Sequence, residues 1–223
     1  MNSPAKTIDN TLLKADATCT DIARLCEEAV EYGFASVCIP PCFVPLASQL
    51  LYGSEVVVCT VVGFPLGNQT TETKVFETRQ AVAAGAAEID MVINLGSARD
   101  ADYTAVGEEV RRVVAAAEHA VVKVIIECCL LDDAEKRRLV EAVVENGADY
   151  VKTSTGFALS GATVEDVKLL SELSAGRIRV KAAGGVRDWK SCREMLAAGA
   201  DRIGTSAGSV IMREWQEETG LLC

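Results

Sequence analysis

The sequence predicts an α/β fold and, within that class, a single-domain (β/α)8 barrel, the TIM barrel, over residues 1–223. The chain of 223 residues is long enough for eight strand–helix units. Eight short β-favouring segments alternate with segments that carry apolar residues at helical spacing. A glycine-containing pattern also recurs along the chain. A doubly wound open sheet is the alternative that the same alternation allows.

The recurring pattern is a small or polar residue, a glycine, small residues and then an apolar strand. Its glycines are Gly33, Gly85, Gly147 and Gly199, which stand 52, 62 and 52 residues apart. Glycine often ends a helix because it adopts the left-handed conformation without strain. Each interval fits two strand–helix units, so the pattern predicts a helix end followed at once by a strand of a parallel sheet.

The strands and helices can be assigned in order. The predicted strands are residues 8–12, 36–39, 56–62, 88–94, 121–127, 150–153, 179–183 and 202–204. Between the first two, Ile22, Leu25 and Ala29 recur at the spacing of one apolar helix face. Residues 20–21 and 163–166 have the composition of helix N-terminal caps. No linker or low-complexity stretch divides the chain.

Charge and composition restrict the partners. The formal net charge of −10 argues against nucleic acid or an anionic membrane as a partner, although a local site can still bind a small anion. No apolar run approaches the roughly 18 residues of a membrane-spanning helix. The N-terminus lacks a basic segment followed by an apolar one, so we expect no secretory signal and a cytoplasmic protein.

The cysteines and the one histidine predict no metal site and no cofactor. The nine cysteines show no CxxC spacing, and most lie in apolar runs, which is typical of reduced thiols that fill core space. His119 stands alone at a predicted helix end, where we expect a surface residue. A zinc site would need further histidines or paired cysteines at ligand spacing.

Two lysines at the ends of neighbouring predicted strands are the main functional signal. Lys152 precedes Thr-Ser-Thr-Gly, and Lys181 precedes Ala-Ala-Gly-Gly. Lysine is disfavoured in apolar strands unless a site needs it. Two cations that face one site repel, so each is expected to lower the proton affinity of the other. A neutral lysine amine is a nucleophile, and the pair therefore indicates Schiff-base chemistry on a carbonyl substrate.

Alternation along the strands directs further polar side chains towards the same interior. Asp90 on the fourth strand and Lys123 on the fifth share the inward face with the two lysines. Asp9, Cys38, Glu127 and Thr153 lie at comparable places and are predicted to bind substrate together with Lys123. A buried ion-pair network without a catalytic role is the alternative interpretation of the charged set.

The sequence is similar to the 2-deoxyribose-5-phosphate aldolase family. The most specific motifs are Lys-Thr-Ser-Thr-Gly at 152–156 and Lys-Ala-Ala-Gly-Gly-Val-Arg at 181–187. The other matching segments are residues 8–14, 37–40, 61–67, 88–94, 123–127 and 202–206. They occur in order over nearly the whole chain.

The resemblance implies a metal-free class I aldolase that cleaves 2-deoxy-D-ribose 5-phosphate to acetaldehyde and D-glyceraldehyde 3-phosphate. It assigns the imine to Lys152 and a protonated, supporting amine to Lys181. Asp90 would exchange the proton of the C3 hydroxyl through a water molecule. Cys38 would line the aldehyde end of the pocket, with simple packing as the alternative role.

The phosphate is expected at the loops after the last three strands. Gly156, Gly184, Gly185 and Ser206 would hold it through backbone N–H groups and a helix N-terminus. Turn glycines without a binding role are the alternative. The sequence departs from the family at Asn10, where histidine is usual, at Ala207, where a second serine is usual, and in lacking a tyrosine at the C-terminus.

Other function classes remain open from the sequence. A lysine aldolase that acts on a keto-acid would need an arginine or its equivalent for the carboxylate. A silent barrel that binds a sugar phosphate, or a structural scaffold, would not need the complete set of Asp90, Lys152 and Lys181. The expected partners are a sugar-phosphate substrate and further copies of the chain, as a dimer or tetramer.

Overall fold

The computed structural model describes residues 3–221 and shows eight parallel strands that close into a barrel in sequence order. The last strand pairs with the first, with Asp9 beside Gly204. The strands are β1 Ile8–Thr11, β2 Ser36–Ile39, β3 Val57–Val62, β4 Glu88–Val92, β5 Val121–Ile125, β6 Tyr150–Lys152, β7 Arg179–Ala183 and β8 Arg202–Thr205. The predicted (β/α)8 barrel is therefore confirmed. The predicted domain range, 1–223, includes residues 1, 2, 222 and 223, which lie outside the described residues.

Helices follow the strands and surround the barrel. They are α1 Cys19–Tyr32, α2 Val44–Leu50, α3 Thr71–Ala83, α4 Leu95–Arg99, α5 Tyr103–Ala117, α6 Asp133–Glu145, α7 Val164–Ser174, α8 Trp189–Ala197 and α9 Gly208–Thr219. Short 3-10 turns occur at Ala5–Thr7, Pro41–Phe43 and Cys128–Leu130. None of the helices in residues 3–221 is both long and apolar enough to cross a membrane.

The glycine pattern marks helix ends as predicted. Gly33, Gly85, Gly147 and Gly199 have φ values of 68°, 106°, 80° and 106°. The first of them ends α1 in the left-handed conformation, and its N–H donates to Ala29 and Val30 carbonyls. Each of the four helix ends is followed within a few residues by a strand.

Helix caps follow the sequence with one correction. Thr163 caps α7 as predicted, because its side chain accepts the N–H of Asp166. The cap of α1 is Thr18 rather than residues 20–21. Thr18 and Asp21 form a reciprocal capping box, in which Asp21 is the third residue of the helix.

Two predicted strands end two residues earlier than expected because their last polar residues serve other roles. Asn94 is outside β4 and caps α4 by accepting the N–H of Ser97. Glu127 is outside β5 and has a left-handed backbone with φ 53°. The predicted inward alternation therefore stops before both residues.

The apolar core lies between the barrel and its helices. It combines outward-facing strand residues such as Ile89 and Val124 with helix residues such as Leu139 and Ile211. Inside the barrel, by contrast, Asp9, Asp90, Lys123 and Lys181 are fully buried. Barrel interiors are usually filled by branched apolar residues, so these buried charges need a specific explanation.

The cysteine and histidine predictions can be compared with the described part of the chain. Its eight cysteines are unpaired, and Cys26, Cys38, Cys59, Cys128 and Cys192 are buried, as expected for thiols that fill the core. Cys19 and Cys42 are exposed instead, and Cys223 lies outside the described residues. His119 is exposed beyond the end of α5, as predicted.

Candidate active site

The two lysines that the sequence singled out, Lys152 and Lys181, lie side by side at the carboxyl ends of β6 and β7. Lys152 and Lys181 are register partners in the parallel pairing of these strands. Lys181 is fully buried, and Lys152 is 3% exposed. Both amines therefore lack bulk water and depend on protein groups for their electrostatic stabilisation.

One carboxylate joins the two amines. Asp90 Oδ2 lies 2.6 Å from Lys152 Nζ and 2.6 Å from Lys181 Nζ. The other oxygen of Asp90 accepts from Lys123 Nζ at 2.9 Å and from Cys59 Sγ at 3.2 Å. Asp90 is fully buried inside the barrel on β4, two strands from β6 and three strands from β7.

A second layer of charge lies deeper in the barrel. Asp9 Oδ2 is 2.6 Å from Lys181 Nζ, and Ser36 Oγ donates to Asp9 Oδ1 at 2.7 Å. Glu88 Oε2 lies 2.6 Å from Lys123 Nζ. Arg202 then connects the two carboxylates, because its Nε donates to Asp9 and its Nη2 donates to both oxygens of Glu88, each at 2.8 Å. We call Asp9, Glu88, Asp90, Lys123, Lys152, Lys181 and Arg202 the buried charge network.

The electrostatics favour the charged forms of two central groups. Burial opposes ionisation of Asp90, but the ammonium groups of Lys123, Lys152 and Lys181 together outweigh it and hold the pKa of Asp90 well below its usual range. Burial also disfavours a charged Lys181, but the carboxylates of Asp9 and Asp90 outweigh it and raise the pKa of Lys181 above its usual range.

This result corrects one argument from sequence. Repulsion between the paired lysines was expected to lower the proton affinity of each. For Lys181 the opposite holds, because the attraction of Asp9 and Asp90, each 2.6 Å from its amine, outweighs both burial and the repulsion from Lys123. The expectation that Lys181 stays protonated agrees with this direction.

A cavity of about 220 Å³ opens at the carboxyl ends of the strands. Its lining includes Lys152 of the buried charge network and the four residues predicted to bind phosphate, Gly156, Gly184, Gly185 and Ser206. The amine of Lys152 and the glycines of the loops therefore line the same cavity. This agrees with the barrel topology, which brings the ends of strands six to eight together.

The glycines of this cavity bring two loops into direct contact. A Cβ on Gly161 would lie 2.1 Å from the carbonyl oxygen of Gly184, and a Cβ on Gly184 would lie 2.9 Å from Gly161 Cα. Ala162 N–H donates to the Ala183 and Gly184 carbonyls, which links the loops after β6 and β7. The backbone N–H groups of Gly156, Gly184 and Gly185 donate to no other described residue, so they are available to an anion.

The N-terminus of α9 completes the cavity wall. Ser206 is exposed immediately before this 12-residue helix, and Ala207 occupies its N-cap without a side-chain hydrogen bond. The first N–H groups of α9 are therefore not capped by a side chain at this position, which favours an anion near Ser206. Lys14 and Arg187 add exposed cationic side chains to the same lining.

A larger cavity of about 660 Å³ adjoins the first one at Thr11, Lys14 and Ser206. Acidic side chains of α1, among them Asp21, Glu27, Glu28 and Glu31, line much of it. Like charges disfavour a phosphate there. The smaller cavity, which contains the lysine amine, is the better substrate site.

The remaining predicted substrate-binding residues lie behind the cavity wall. Asp9 and Lys123 are fully buried in the charge network, and Cys38 is fully buried beside Cys59. None of these side chains is in the cavity lining. Their side chains contact other protein groups in this structure, and their contact with substrate stays a prediction.

Glu127 and Thr153 also have internal partners. Both carboxylate oxygens of Glu127 accept the N–H of Thr155, and Glu127 Oε2 also accepts the Thr155 hydroxyl. Thr153 Oγ1 connects β6 to β7 through the N–H and carbonyl of Ala183. These contacts hold the loop that carries Gly156, and contact of the two residues with substrate stays a prediction.

Two members of the buried charge network, and one thiol in contact with it, were absent from the predicted site. Glu88 has the same parity as Asp90 in β4, so alternation alone could have identified it. Arg202 starts an otherwise apolar strand, which is the same signal that identified the lysines. Cys59 gave no sequence signal, because a cysteine in a valine-rich strand is typical of the core.

One group of three potential metal ligands occurs among the described residues, namely Cys38, Cys59 and Asp90. All three side chains are buried. Asp90 already contacts three ammonium groups, which would repel a metal cation. The donor set therefore fits a proton network better than a metal ion.

A barrel with a buried amine at the carboxyl ends of its strands, beside loops whose glycine N–H groups donate to no other described residue, has the features of a lysine-dependent barrel enzyme. The family model described as DeoC/LacD family aldolase matches residues 5–218. The chain belongs to this aldolase family.

Relatives agree with this family over almost their full length. A protein from Syntrophotalea carbinolica named deoxyribose-phosphate aldolase is 58% identical over 97% of this chain and 98% of its own. One from Geobacillus sp. with the same name is 56% identical over 95% of each chain.

Solved structures share the fold closely. The structure titled "QR15, an Aldolase" superposes with a TM-score of 0.95 at 42% identity and covers both chains completely. The deoxyribose phosphate aldolase of Aeropyrum pernix, described as having a unique tetrameric structure, gives a TM-score of 0.91 at 37% identity. That match covers 96% of this chain and 91% of the other.

Proposed function

We propose that this protein cleaves 2-deoxy-D-ribose 5-phosphate to acetaldehyde and D-glyceraldehyde 3-phosphate through an imine at Lys152. One observation carries the proposal. Of the described residues in the buried charge network, Lys152 alone lines the cavity. A substrate carbonyl in that cavity meets one amine, and the other charges act on that amine from behind. The names of the relatives supply the substrate.

The reaction begins when the neutral amine of Lys152 adds to C1 of the open-chain aldehyde and water leaves. The resulting protonated imine accepts the electron pair of the C2–C3 bond as that bond breaks. The C3 hydroxyl loses its proton, and D-glyceraldehyde 3-phosphate departs. The enamine then takes a proton at C2, and hydrolysis of the imine releases acetaldehyde and restores Lys152.

Asp90 and Lys181 are assigned to proton transfer. Asp90 Oδ2 lies 2.6 Å from each lysine amine and so can exchange protons with both. Because Asp90 lies behind the cavity wall, we assign the contact with the C3 hydroxyl to a bridging water. Lys181, held charged by Asp9 and Asp90, helps to keep Asp90 ionised.

The phosphate is assigned to the cradle of Gly156, Gly184, Gly185 and Ser206. The three glycine N–H groups that donate to no other described residue, together with the N-terminus of α9, supply directed donors without a charge to desolvate. Phosphate binding far from the reacting bond lets the enzyme use that binding energy to orient C1 against Lys152.

The test is a direct assay of cleavage. Purified protein is incubated with deoxyribose 5-phosphate, and acetaldehyde is quantified through NADH oxidation by alcohol dehydrogenase. Lys152→Met is the matched variant. We expect it to fold, since the network keeps three cations for three carboxylates, and to release no acetaldehyde above background. Wild-type protein that releases no acetaldehyde would reject the proposed substrate.

A keto-acid aldolase is the second candidate, and one observation favours it. The exposed guanidinium of Arg187 lies in the cavity lining, where it could pair with a carboxylate. Cleavage of a 2-keto-3-deoxy acid phosphate under the same conditions, at a rate above that of deoxyribose 5-phosphate, would establish this alternative.

We also propose that the chain forms a homo-oligomer. The Aeropyrum pernix relative is described as tetrameric. On this chain the exposed apolar side chains of Val30 on α1 and Leu50 on α2 lie in one surface groove, and Tyr52 beyond α2 is 93% exposed. Light scattering after size-exclusion chromatography distinguishes the dimer and tetramer from a monomer.

A further inference from the structure

Arg202 and Glu88 lie at the amino ends of β8 and β4, on the side of the barrel away from the cavity. Their side chains are 11% and 8% exposed, and the two oxygens of Glu88 accept from Arg202 Nη2. Neither residue is in the cavity lining. Their only route to the reacting atoms is through the charges that they contact.

The buried charge network has an unequal number of charges. It contains three carboxylates, from Asp9, Glu88 and Asp90, and four cationic side chains, from Lys123, Lys152, Lys181 and Arg202. Low polarity strengthens every charge interaction inside the barrel, so one excess positive charge is costly there. The network becomes neutral when one amine gives up its proton.

The contacts determine which amine that is. Lys123 lies within 2.9 Å of both Glu88 and Asp90, and Lys181 lies 2.6 Å from both Asp9 and Asp90. Lys152 contacts one carboxylate oxygen, which it shares with Lys181. Lys152 also lines the cavity, so its proton can leave to solvent.

We propose that Arg202 and Glu88 are positioning residues that set the charge of the buried network and thereby the pH range over which Lys152 presents a neutral amine. The proposal rests on the proposed function for the role of Lys152, but it concerns residues that substrate never touches. Arg202 adds the positive charge that makes Lys152 the surplus cation. Glu88 limits that surplus by pairing with Arg202 and Lys123.

The other titratable groups that face the network are a phenol, two thiols and a guanidinium. Burial raises the pKa of the Tyr150 phenol and holds the pKa of the Cys59 thiol well above its usual range, so both stay neutral near pH 7. Cys38 contributes a second buried thiol from β2, and its hydrogen bond with Cys59 lowers the pKa of this thiol. The guanidinium of Arg179 lies 4.1 Å from the Tyr150 ring centre, and Arg179 itself is exposed, so solvent screens its charge.

The two residues are expected to move the activity profile in opposite directions. Arg202→Gln removes a positive charge, so Lys152 holds its proton more strongly and the rising limb of the pH–rate profile moves up by about one pH unit. Glu88→Gln removes a negative charge, so the limb moves down by a similar amount. The double variant restores the charge difference and returns the limb towards the wild-type position.

Two further variants serve as controls. Arg202→Lys keeps the charge and should leave the limb within about a quarter of a unit of wild type, even if kcat falls. Arg193→Gln breaks an arginine–glutamate pair on the exposed surface between α8 and α9 and should leave the rising limb of the pH–rate profile at its wild-type position. A purely structural role for Arg202 would lower kcat in all Arg202 variants without moving the limb.

The experiment has two independent measurements. The first is kcat/KM for cleavage of deoxyribose 5-phosphate between pH 5 and 9. The second is competitive acetylation of Lys152 by trace acetic anhydride over the same range, quantified by peptide mass spectrometry, which needs no substrate. Shifts of the two pH profiles in opposite directions for Arg202→Gln and Glu88→Gln support the proposal. Profiles that do not shift, or that shift in the same direction for both variants, overturn it.

The outcomes also separate this inference from the proposed function. If wild-type protein does not cleave deoxyribose 5-phosphate, the acetylation profiles still decide whether Arg202 and Glu88 control the amine. If it does cleave the substrate but the acetylation profiles coincide, the inference fails and the proposed function stands. Should Arg202→Gln not fold, the downward movement expected for Glu88→Gln decides alone.

Discussion

Substitution of Asp90 by asparagine isolates the energetic role of the central carboxylate. Asparagine keeps the shape of the side chain but removes the negative charge that contacts Lys152, Lys181 and Lys123 at 2.6, 2.6 and 2.9 Å. The variant leaves four cationic side chains with two carboxylates, all of them buried except Arg202, which is 11% exposed. Removal of one partner from a buried ion pair typically costs about 3–5 kcal/mol.

The lower end of that range is expected here. Lys152 lines the cavity and can release its proton there, which relieves part of the repulsion. A loss of about 3 kcal/mol with a urea m-value near 3 kcal/mol/M lowers the midpoint of unfolding by about 1 M. The assay is urea unfolding at pH 7 followed by circular dichroism.

The pH dependence of this difference has a defined sign. The folded-state pKa of Asp90 is lowered, so its stabilisation is present above the unfolded-state pKa, near 4, and is lost as pH falls towards the folded-state value. The gap between wild type and Asp90→Asn should therefore be complete at pH 7 and should narrow only below about pH 4.

Glu108→Gln is the matched control. Glu108 pairs with Arg111 at 2.6 Å, as close as Asp90 lies to its lysines, but the pair is more than half exposed. Its loss should leave the urea midpoint unchanged within error. Equal midpoints for Asp90→Asn and Glu108→Gln would refute the argument that burial gives the Asp90 contacts their strength.

Three further predictions concern the cavity and its chemistry. Prolonged treatment with EDTA should leave cleavage unchanged, because three ammonium groups surround the Asp90 carboxylate; a loss restored by zinc would show a metal-dependent reaction. Ser206→Asp should lose at least about tenfold more kcat/KM for deoxyribose 5-phosphate than for deoxyribose, since its carboxylate repels the phosphate, whereas equal losses on both substrates would place Ser206 outside the phosphate site. Gly184→Ala should raise KM for the phosphorylated substrate and destabilise the fold by about 1 kcal/mol or more, because its Cβ would lie 2.9 Å from Gly161 Cα at φ 86°. Gly176→Ala, at φ 73° with no atom within 4 Å of the new Cβ, should leave KM unchanged, and a matching KM effect there would contradict the loop-contact explanation.

The barrel was predictable because its local signals agree. Helix-ending glycines such as Gly85 and Gly199, each followed by a short apolar strand, report the repeating unit directly. Strand ends were less predictable, because Asn94 and Glu127 continue the strand pattern in sequence but serve helix capping and loop anchoring in the fold. Their roles depend on partners that a strand pattern does not reveal.

The clustering of the lysines with Asp90 was predictable from the sequence. Which lysine lies at the cavity and which lies deeper in the barrel was not. Lys123 and Lys152 have the same chemistry and both point inward, yet Lys123 is the register partner of Tyr150, two residues below Lys152. This stagger places Lys123 inside the network and Lys152 at the cavity. The protonated state of Lys181 was expected, but the paired lysines alone gave the wrong direction for its pKa shift, because the carboxylates that raise its pKa come from β1 and β4.

Covalent trapping of the imine tests the central claim most directly. The protein is incubated with acetaldehyde and sodium borohydride, digested and mapped by tandem mass spectrometry, with Lys152→Met treated in parallel. An N-ethyl group on Lys152, absent from the variant, is the predicted result. An N-ethyl group on Lys181 or Lys123, with Lys152 unmodified, would contradict the assignment of Lys152 as the amine that meets the substrate.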